Sequence, residues 1–528
     1  MLTIMKKIYI IIVLAAVGLC SCNLDYEPTT QYSASSFWLS EKNAESGLIG
    51  CYLPLIHGYM YGMGALAFEE CVTPNAYNYY NSNGWNEVAK GTHNKDVDIA
   101  NGRWTQCFTG IGRCNNLLNN IDYTADMSAS DKLRTKGEAK FLRAYYYSLL
   151  STYYYSAPLI TDTPDITQIT VPRADRKDLV KFITDELTEA AEMLPKTVAP
   201  SQYGHATKGA ALALKARVLL FEASPLCNPS GNVEEYKKAA TAAKAVMDLG
   251  VYSLFQNYKD LFKEANENSS ESIFALQCIS NPVNCGHSLD MIHAKDDSAA
   301  PVQELADGMM MKDGKPRSAS KYSASSGFDN MDPRFGYCVA YPGSIWMGRE
   351  VSMSSNGYWN NVQTGYLFKK YTVYSEATPT SEQLAFRNKA QCSPTDIMLL
   401  RYADVLLMYA EAMNEAGEMT ADIWAATVGA VRRRAGMDTE ALAWPGNKEE
   451  AREILNYERR AEFLGEGTWY NDLRRNKLAE TVCAVPIHRY DGAELYSRAF
   501  DASRDYWWPV PAKQIELAPT LEPNNPNW

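Results

Sequence analysis

The sequence predicts a mainly α protein: paired helices stacked into a repeat-like scaffold, carrying a loop-rich region. Three observations lead there. The stretch Lys448–Arg475 has Ile454, Tyr457, Ala461 and Leu464 spaced three, four and three apart, one face of a helix, while Leu455 and Phe463 form a second apolar patch. A helix apolar on two sides packs between neighbours and does not simply cap a core. Further helical stretches recur along the chain in pairs joined by short connectors, with irregular periods. Two long segments, Met60–Gly102 and Ser280–Pro394, lose all periodicity and fill with Gly, Asn, Ser and aromatic residues.

The chain opens with Lys6 and Lys7 ahead of an apolar run, Ile8–Gly18. That run is too short to span a bilayer and has the layout of a secretory signal; Met5 is an alternative start. It ends in Leu19-Cys20-Ser21-Cys22, which resembles a bacterial lipobox with Cys22 as the lipid-accepting residue; Cys20 offers a poorer competing frame. Residues 1–21 are read as the lipoprotein signal and 22–36 as a polar, lipidated tether, in which Asp25 and Glu27 are a weak surface-export signal. The expectation is a protein anchored by acyl chains, not threaded through the membrane.

The body divides into residues 37–279, helical with a loop insertion at 59–102; 280–394, loop-rich; and 395–528, helical again. Helices are predicted at Glu41–Tyr52, Trp104–Ile121, Lys136–Tyr154, Asp175–Met193, Thr207–Ala223 and Glu234–Leu249. Three more follow at Pro394–Glu415, Ala421–Ala435 and the stretch from Lys448. The alanines of Thr207–Ala223 let a neighbouring helix approach closely. The proline-rich end, Pro519–Trp528, needs packing to hold it, because it lacks hydrogen bonds of its own.

Composition removes several function classes. Hydrophobic content of 46% and 21% charged residues are globular values. A net charge of −11, with no basic stripe, argues against nucleic acid. The 12 cysteines are scattered and most read as small buried hydrophobes; Cys107 and Cys114 are too far apart on one helix to bridge, whereas Cys278 and Cys285 flank a turn and could pair. Six scattered histidines and the absence of zinc spacing speak against a metal site, and Asp96–Gly102 matches a calcium loop only faintly, with Ala100 and Cys107 where ligands belong. No catalytic or nucleotide-binding motif appears, so no cofactor is expected. Glu69-Glu70 and Asp96/Asp98 are the nearest thing to a glycosidase pair and read as solvated; Arg432-Arg433-Arg434 reads as a solvated helix face.

Several segments together resemble one family. They are Leu-x-Ser-Cys at Cys22; Glu138–Tyr145; Ala206–Ala211 running into Lys215-Ala216-Arg217; Asp332-Pro333-Arg334-Phe335; Arg401–Ala412; Glu458-Arg459-Arg460 through Asp472–Arg475; and Trp508-Pro509-Val510-Pro511. Their number, order and spacing are similar to the SusD/RagB family of outer-membrane lipoproteins of Bacteroidetes. The resemblance implies four tetratricopeptide-like helix pairs carrying a loop-rich region. It also implies a non-catalytic role on the cell surface: capture of oligosaccharides, or in some members peptides, for a SusC-like TonB-dependent transporter.

A sugar ring offers C–H groups to an aromatic face and hydroxyls to amides and carboxylates. The two loop regions supply such residues, and the 34 tyrosines and 11 tryptophans of the chain suit half-wet surfaces. Trp85, Trp346 and Trp359 are the expected platform, with Tyr80 and Tyr358 beside them. Two alternatives stand: the same role for peptides or another nutrient, and a lipid-anchored glycoside hydrolase. Glu458, Arg460 and Asp472 are expected to hold the helical stack and not to touch ligand.

Overall fold

The computed structural model describes residues 37–279, 286–294, 298–352, 363–379 and 390–528. Cys22, Cys285, Tyr358 and Trp359 lie outside the described residues.

Eight helices carry the scaffold: α1 (Glu41–Tyr52), α4 (Asp98–Asn120), α5 (Ala129–Tyr154), α6 (Arg176–Met193), α7 (Lys208–Ala223), α8 (Val233–Met247), α9 (Tyr402–Glu415) and α11 (Lys448–Glu462). The shorter α2 (Ala65–Glu70), α3 (Trp85–Lys90), α10 (Val428–Ala435) and α12 (Trp469–Arg475) attach to them. Each scaffold helix packs on the next: α1 on α4, α4 on α5, then α6, α7, α8, α9 and α11 in succession. This is the tetratricopeptide-like stack that the sequence leads one to expect.

The starts are chemically marked. Ser40, Ser128, Asp175, Thr207, Asn232 and Asn447 each accept a hydrogen bond from a first-turn backbone N–H of the helix that follows. α5, 26 residues and about 39 Å long, is buried at seven consecutive positions from Phe141 to Tyr147. Burial on every side is the signature of a helix with neighbours all round. α11 behaves similarly. Its Tyr457, Ala461 and Leu464 join the main core, while Ala451, Leu455 and Phe463 join a second core with Leu406, Leu407, Trp424 and Val431.

Several segments differ from the sequence expectation. Pro394–Glu415 is not one helix. Residues Ile397–Arg401 form strand β8, paired antiparallel with β2 (Ser272–Leu276), and α9 begins only at Tyr402. A short continuous apolar run such as Ile397–Leu400 fits a buried strand as well as a buried helix. Ala421–Ala435 splits at Thr427, whose φ of −116° and ψ of −92° are not helical. Met60–Gly102 is not all loop, since it holds α2, α3, the start of α4 and strand β1 (Ala76–Asn78). The remaining sheets are two-stranded. β1 pairs with β3 (Ala299–Pro301), β4 (Val339–Ala340) with β7 (Leu367–Phe368), β5 (Ile345–Trp346) with β6 (Arg349–Glu350), and β9 (Pro486–His488) with β10 (Glu494–Ser497). The proline-rich end is held by side chains. Asn525 donates to the carbonyls of Tyr154 and Trp508, and Arg173 donates to the Asn525 side chain.

Charge, not only apolar burial, joins scaffold to loop-rich region. Arg401 is gripped by Glu271, Glu462 and Glu466; Arg434 by Glu271 and Glu462; Arg334 by Asp332, Glu458 and Glu462; Lys370 by Glu466. Arg432 pairs with Glu458, so Arg432 and Arg434 are buried partners and not the solvated face read from the sequence. A second run links Arg217 to Asp404, Arg459 and Asp472, then Arg475 and Glu411. Each side chain in these runs is costly to bury alone and tolerable together. Among the described residues no helix is long and apolar enough to cross a membrane.

Candidate functional site

The expected platform separates on inspection. Trp85 is 0% exposed. Its ring packs against Trp508, centroids 5.8 Å apart, and with Tyr153 and Trp508 it encloses the Arg103 guanidinium, which pairs with Glu69 at 3.3 Å. Trp346 is 2% exposed and packs with Ala340, Val351, Leu367 and Tyr374 beneath Lys369. Neither offers a face to a sugar, and both are corrected to core residues. Tyr80, by contrast, is 58% exposed.

What separates Tyr80 from Trp85 is a tight turn. Asn81 and Asn83 adopt left-handed φ of 49° and 53°, and Gly84 a φ of 81°. Asparagine tolerates that region and glycine is free in it; a Cβ on Gly84 would also lie 2.7 Å from the Val97 side chain. The Asn81 side-chain oxygen Oδ1 accepts the Asn86 backbone N–H at 2.9 Å, fixing the start of α3. The chain therefore reverses, sending Tyr79 and Tyr80 outward and Trp85 inward.

The outward residues continue into a row of rings. Tyr79 is 41% exposed and stands edge-on to Tyr80, centroids 4.6 Å apart. Tyr77 follows at 6.4 Å, and Tyr496 of β10 lies 5.5 Å beyond it. β1 holds Tyr77 in register with Ala300, and the Tyr79 N–H donates to the Ser298 carbonyl at 3.1 Å. A second cluster lies off the other end of the β9–β10 hairpin. There Tyr490, 45% exposed, packs near Tyr366 and Phe328, which in turn meets Phe335 and Tyr341. The Tyr490 N–H donates to the Thr364 carbonyl at 2.8 Å, and Tyr366 donates its hydroxyl to Gln303. His488 and its backbone N–H both meet Glu304. These rings come from stretches 77–80, 328–341 and 488–496, with Tyr366.

Tyr490 and Tyr496 escaped the sequence reading, and Tyr77 and Tyr79 were seen only as part of an aromatic-rich loop. A usable signal existed. Asp491-Gly492 is a hairpin dipeptide, Gly492 has a φ of 83°, and tyrosines flank it on either side.

Two other places deserve comparison. A cavity of about 130 Å³ lies among α5, α7, α9 and the turn after α11. Its charged side chains are spent on one another, as with Arg217 and Arg459 on Asp404 at 2.8 and 2.9 Å. Glu69 and Glu70, read from sequence as solvated, are both buried. Glu69 accepts from Tyr153 and Asn471 and pairs with Arg103; Glu70 accepts from Asn75 and from the Gly467 N–H. Burial pushes the Glu70 carboxyl up to about 7. Both are committed to joining α2 to distant segments. Among the described residues, no group of three His, Cys, Asp or Glu is arranged to hold a metal ion.

Residues 261–528 match the family described as SusD family. The chain belongs to the SusD family. Residues 29–220 match a second description, starch-binding associating with outer membrane. A SusD-like protein of Formosa agariphila is 24% identical over 549 residues, spanning 98% of this chain and 97% of the relative. Among solved structures, a SusD-like carbohydrate-binding protein from Bacteroides fragilis is 27% identical, covers 92% of this chain and 100% of its own, and superposes with a TM-score of 0.79. A laminarin-binding SusD-like protein, 21% identical with a TM-score of 0.68 over 93% of this chain and 100% of its own, shares the SusD fold. Within that fold the scaffold, the buried charge runs and the exposed tyrosine rows of this chain occupy separate parts of one molecule.

Proposed function

We propose that this SusD-family chain is a lipid-anchored, cell-surface glycan-binding protein. It captures oligosaccharides and delivers them to a SusC-like TonB-dependent transporter in the outer membrane. The observation that carries the reading is the tyrosine row Tyr80–Tyr79–Tyr77–Tyr496, exposed at Tyr79 and Tyr80 and half-buried at Tyr77 and Tyr496, with exposed Tyr490 across the hairpin. Rings presented edge to edge on a surface, with asparagines and backbone groups beside them, suit C–H contacts and hydroxyls of a sugar chain. The relatives named for carbohydrate and laminarin binding support it, as does the family description that places starch binding at the outer membrane.

The role is non-catalytic. Glu69 and Glu70, the adjacent carboxylates considered above as a glycosidase pair, are buried and spent on structure. Acylation at Cys22 supplies the anchor, and the exterior face of the outer membrane is its place of work.

The test is a glycan array and a peptide library probed with the full chain purified in detergent. Retention on oligosaccharides is the expected result. Binding of peptides and of no glycan overturns the reading in favour of a peptide receptor, and release of product from a fluorescent oligosaccharide overturns its non-catalytic part. For the anchor, Cys22→Ala should abolish labelling by a clickable fatty acid. For the transporter, the tagged chain should co-purify a TonB-dependent barrel from its own outer membrane.

A further inference from the structure

The tyrosine row does not end in neutral surroundings. At its inner end two cations meet the ring of Tyr496. Lys90 Nζ lies 4.5 Å from the ring centroid and the Arg498 guanidinium carbon 5.6 Å. Among the described residues, neither forms an ion pair with a carboxylate. Other arginines of the interior are better matched: Arg334, Arg401, Arg432, Arg434, Arg459 and Arg475 each have at least one buried carboxylate partner, and Arg460 and Arg474, which have none, each donate from two or more nitrogens to neighbouring oxygens.

Arg498 is 5% exposed and makes one hydrogen bond, from Nη2 to the Ala76 carbonyl at 2.6 Å. Its Nε and Nη1 are buried and, among the described residues, meet no carboxylate or carbonyl oxygen; the Tyr496 hydroxyl, itself buried, is their polar neighbour. Leaving charged donors unsatisfied in the interior is expensive, so such groups are ordinarily matched by an anion or by water. Glu87 on the same helix as Lys90 takes the Asn81 side-chain amide, and Glu494 on β10 takes the Ser497 hydroxyl. The place is also built, not incidental. The α3 terminus carrying Lys90 is clamped to the strand leaving β10, since a Cβ on Gly91 would lie 2.7 Å from the Ala499 carbonyl oxygen. Tyr77 is fixed by β1 on the other side.

We infer that the inner end of the tyrosine row is an anion subsite, and that the glycan this protein takes is acidic. This rests on the glycan-binding reading above. An oligosaccharide lies along Tyr79 and Tyr80, and a carboxylate or sulfate ester on a sugar further along it meets Lys90 at the Tyr496 end of the row, with the field of Arg498 behind it. Both kinds of anion are matched by the same ammonium and guanidinium donors. The acidic surface of the whole chain, net charge −11, then works against non-specific capture of polyanions, so recognition falls to this one positive spot.

The experiment is affinity electrophoresis and calorimetry of the full chain with three probes: a neutral β-glucan, a polygalacturonate and a sulfated galactan. An acidic probe should bind at least ten-fold more tightly than the neutral one, and whichever acidic probe wins identifies the anion. Lys90→Ala should reduce that binding about ten-fold, Lys90→Glu should abolish it, and raising salt from 50 to 500 mM should weaken it. Arg498→Lys, which keeps the charge, should retain most of the acidic preference, and its melting temperature reports whether the fold survives. A neutral probe bound as tightly as both acidic ones, or acidic binding indifferent to Lys90→Ala and to salt, overturns the inference and leaves glycan binding standing. Binding of no polysaccharide overturns the parent reading as well.

Discussion

The backbone N–H of Gly467 donates to the Glu70 carboxylate at 3.1 Å, across 397 positions of sequence. Gly467 has a φ of 69°, and a Cβ there would lie 2.9 Å from the Leu66 carbonyl oxygen. The end of α11 is thereby fastened to α2, immediately before the strand that carries Tyr77.

The Glu70 carboxyl, raised to about 7 by burial, makes this contact pH-sensitive. Its folded pKa lies above its unfolded one, so the stability it contributes is full below about 4.5 and is lost as pH rises to about 7. Asp290 and Asp396, raised by burial to about 6, act in the same direction. Glu462 is held low by Arg434, Arg401 and Arg334 despite its burial and acts oppositely, losing its contribution below the ordinary carboxylate range. Thermal melting across pH 4–8 should peak near pH 5. Glu70→Gln should flatten the decline between pH 5 and 7 while lowering melting temperature at pH 5; an unchanged slope would assign the pH dependence elsewhere.

Glu462 faces three guanidinium groups, those of Arg401, Arg434 and Arg334. Glu462→Gln strands positive charge in the interior and should cost about 3–5 kcal/mol by chemical denaturation. Exchanging a surface pair such as Lys181–Asp185 should leave stability almost unchanged, because solvent screens it.

Tyr79 and Tyr80 are exposed, Trp85 is not. Tyr79→Ala with Tyr80→Ala should weaken glycan retention at least ten-fold while leaving the melting temperature within about 2 °C. Trp85→Ala should instead destabilise by about 3–5 kcal/mol, because it opens a cavity beside Arg103. If Trp85→Ala left stability intact and removed binding, the tryptophan would have to be reached by ligand after all.

Arg460 lies 4.3 Å above the Trp469 ring and donates to Asn75 and to the Glu304 carbonyl. It joins no carboxylate, and burial lowers its pKa to about 10. Arg460→Ala should cost about 2 kcal/mol through the lost hydrogen bonds and packing, measured by denaturant titration. Unchanged stability with lost glycan binding would give α11 a direct role at the site.

How far the sequence could be read follows from where the deciding partners lie. The scaffold helices were legible because periodicity and caps are local: Thr207 and Asp175 announce α7 and α6 within three residues. The order and spacing of the quoted motifs carried the family. Trp85 misled because a tryptophan suits a core and a platform equally, and the turn at Asn81–Gly84 decides which way it faces. Glu69 and Glu70 misled because their partners, Arg103 and Gly467, are 34 and 397 residues away. Tyr496 was invisible because its significance lies in Tyr77 and Lys90, which only the tertiary fold brings to it.

The pairing of β2 with β8 has a further consequence. Strands ending and starting at Leu276 and Ile397 lie side by side, so everything between them leaves the scaffold and re-enters it at one doorway. A segment inserted that way can change length or sequence at little cost to the helices, since its ends meet the same two strands whatever lies between. It also carries its own fasteners, Arg334 and Lys370, which plug into Glu458, Glu462 and Glu466. The architecture is that of an interchangeable cartridge in a fixed housing: exchanging the insert would replace the aromatic cluster of Phe328, Tyr341 and Tyr366, while the Tyr77–Tyr80 and Tyr496 row stays with the housing.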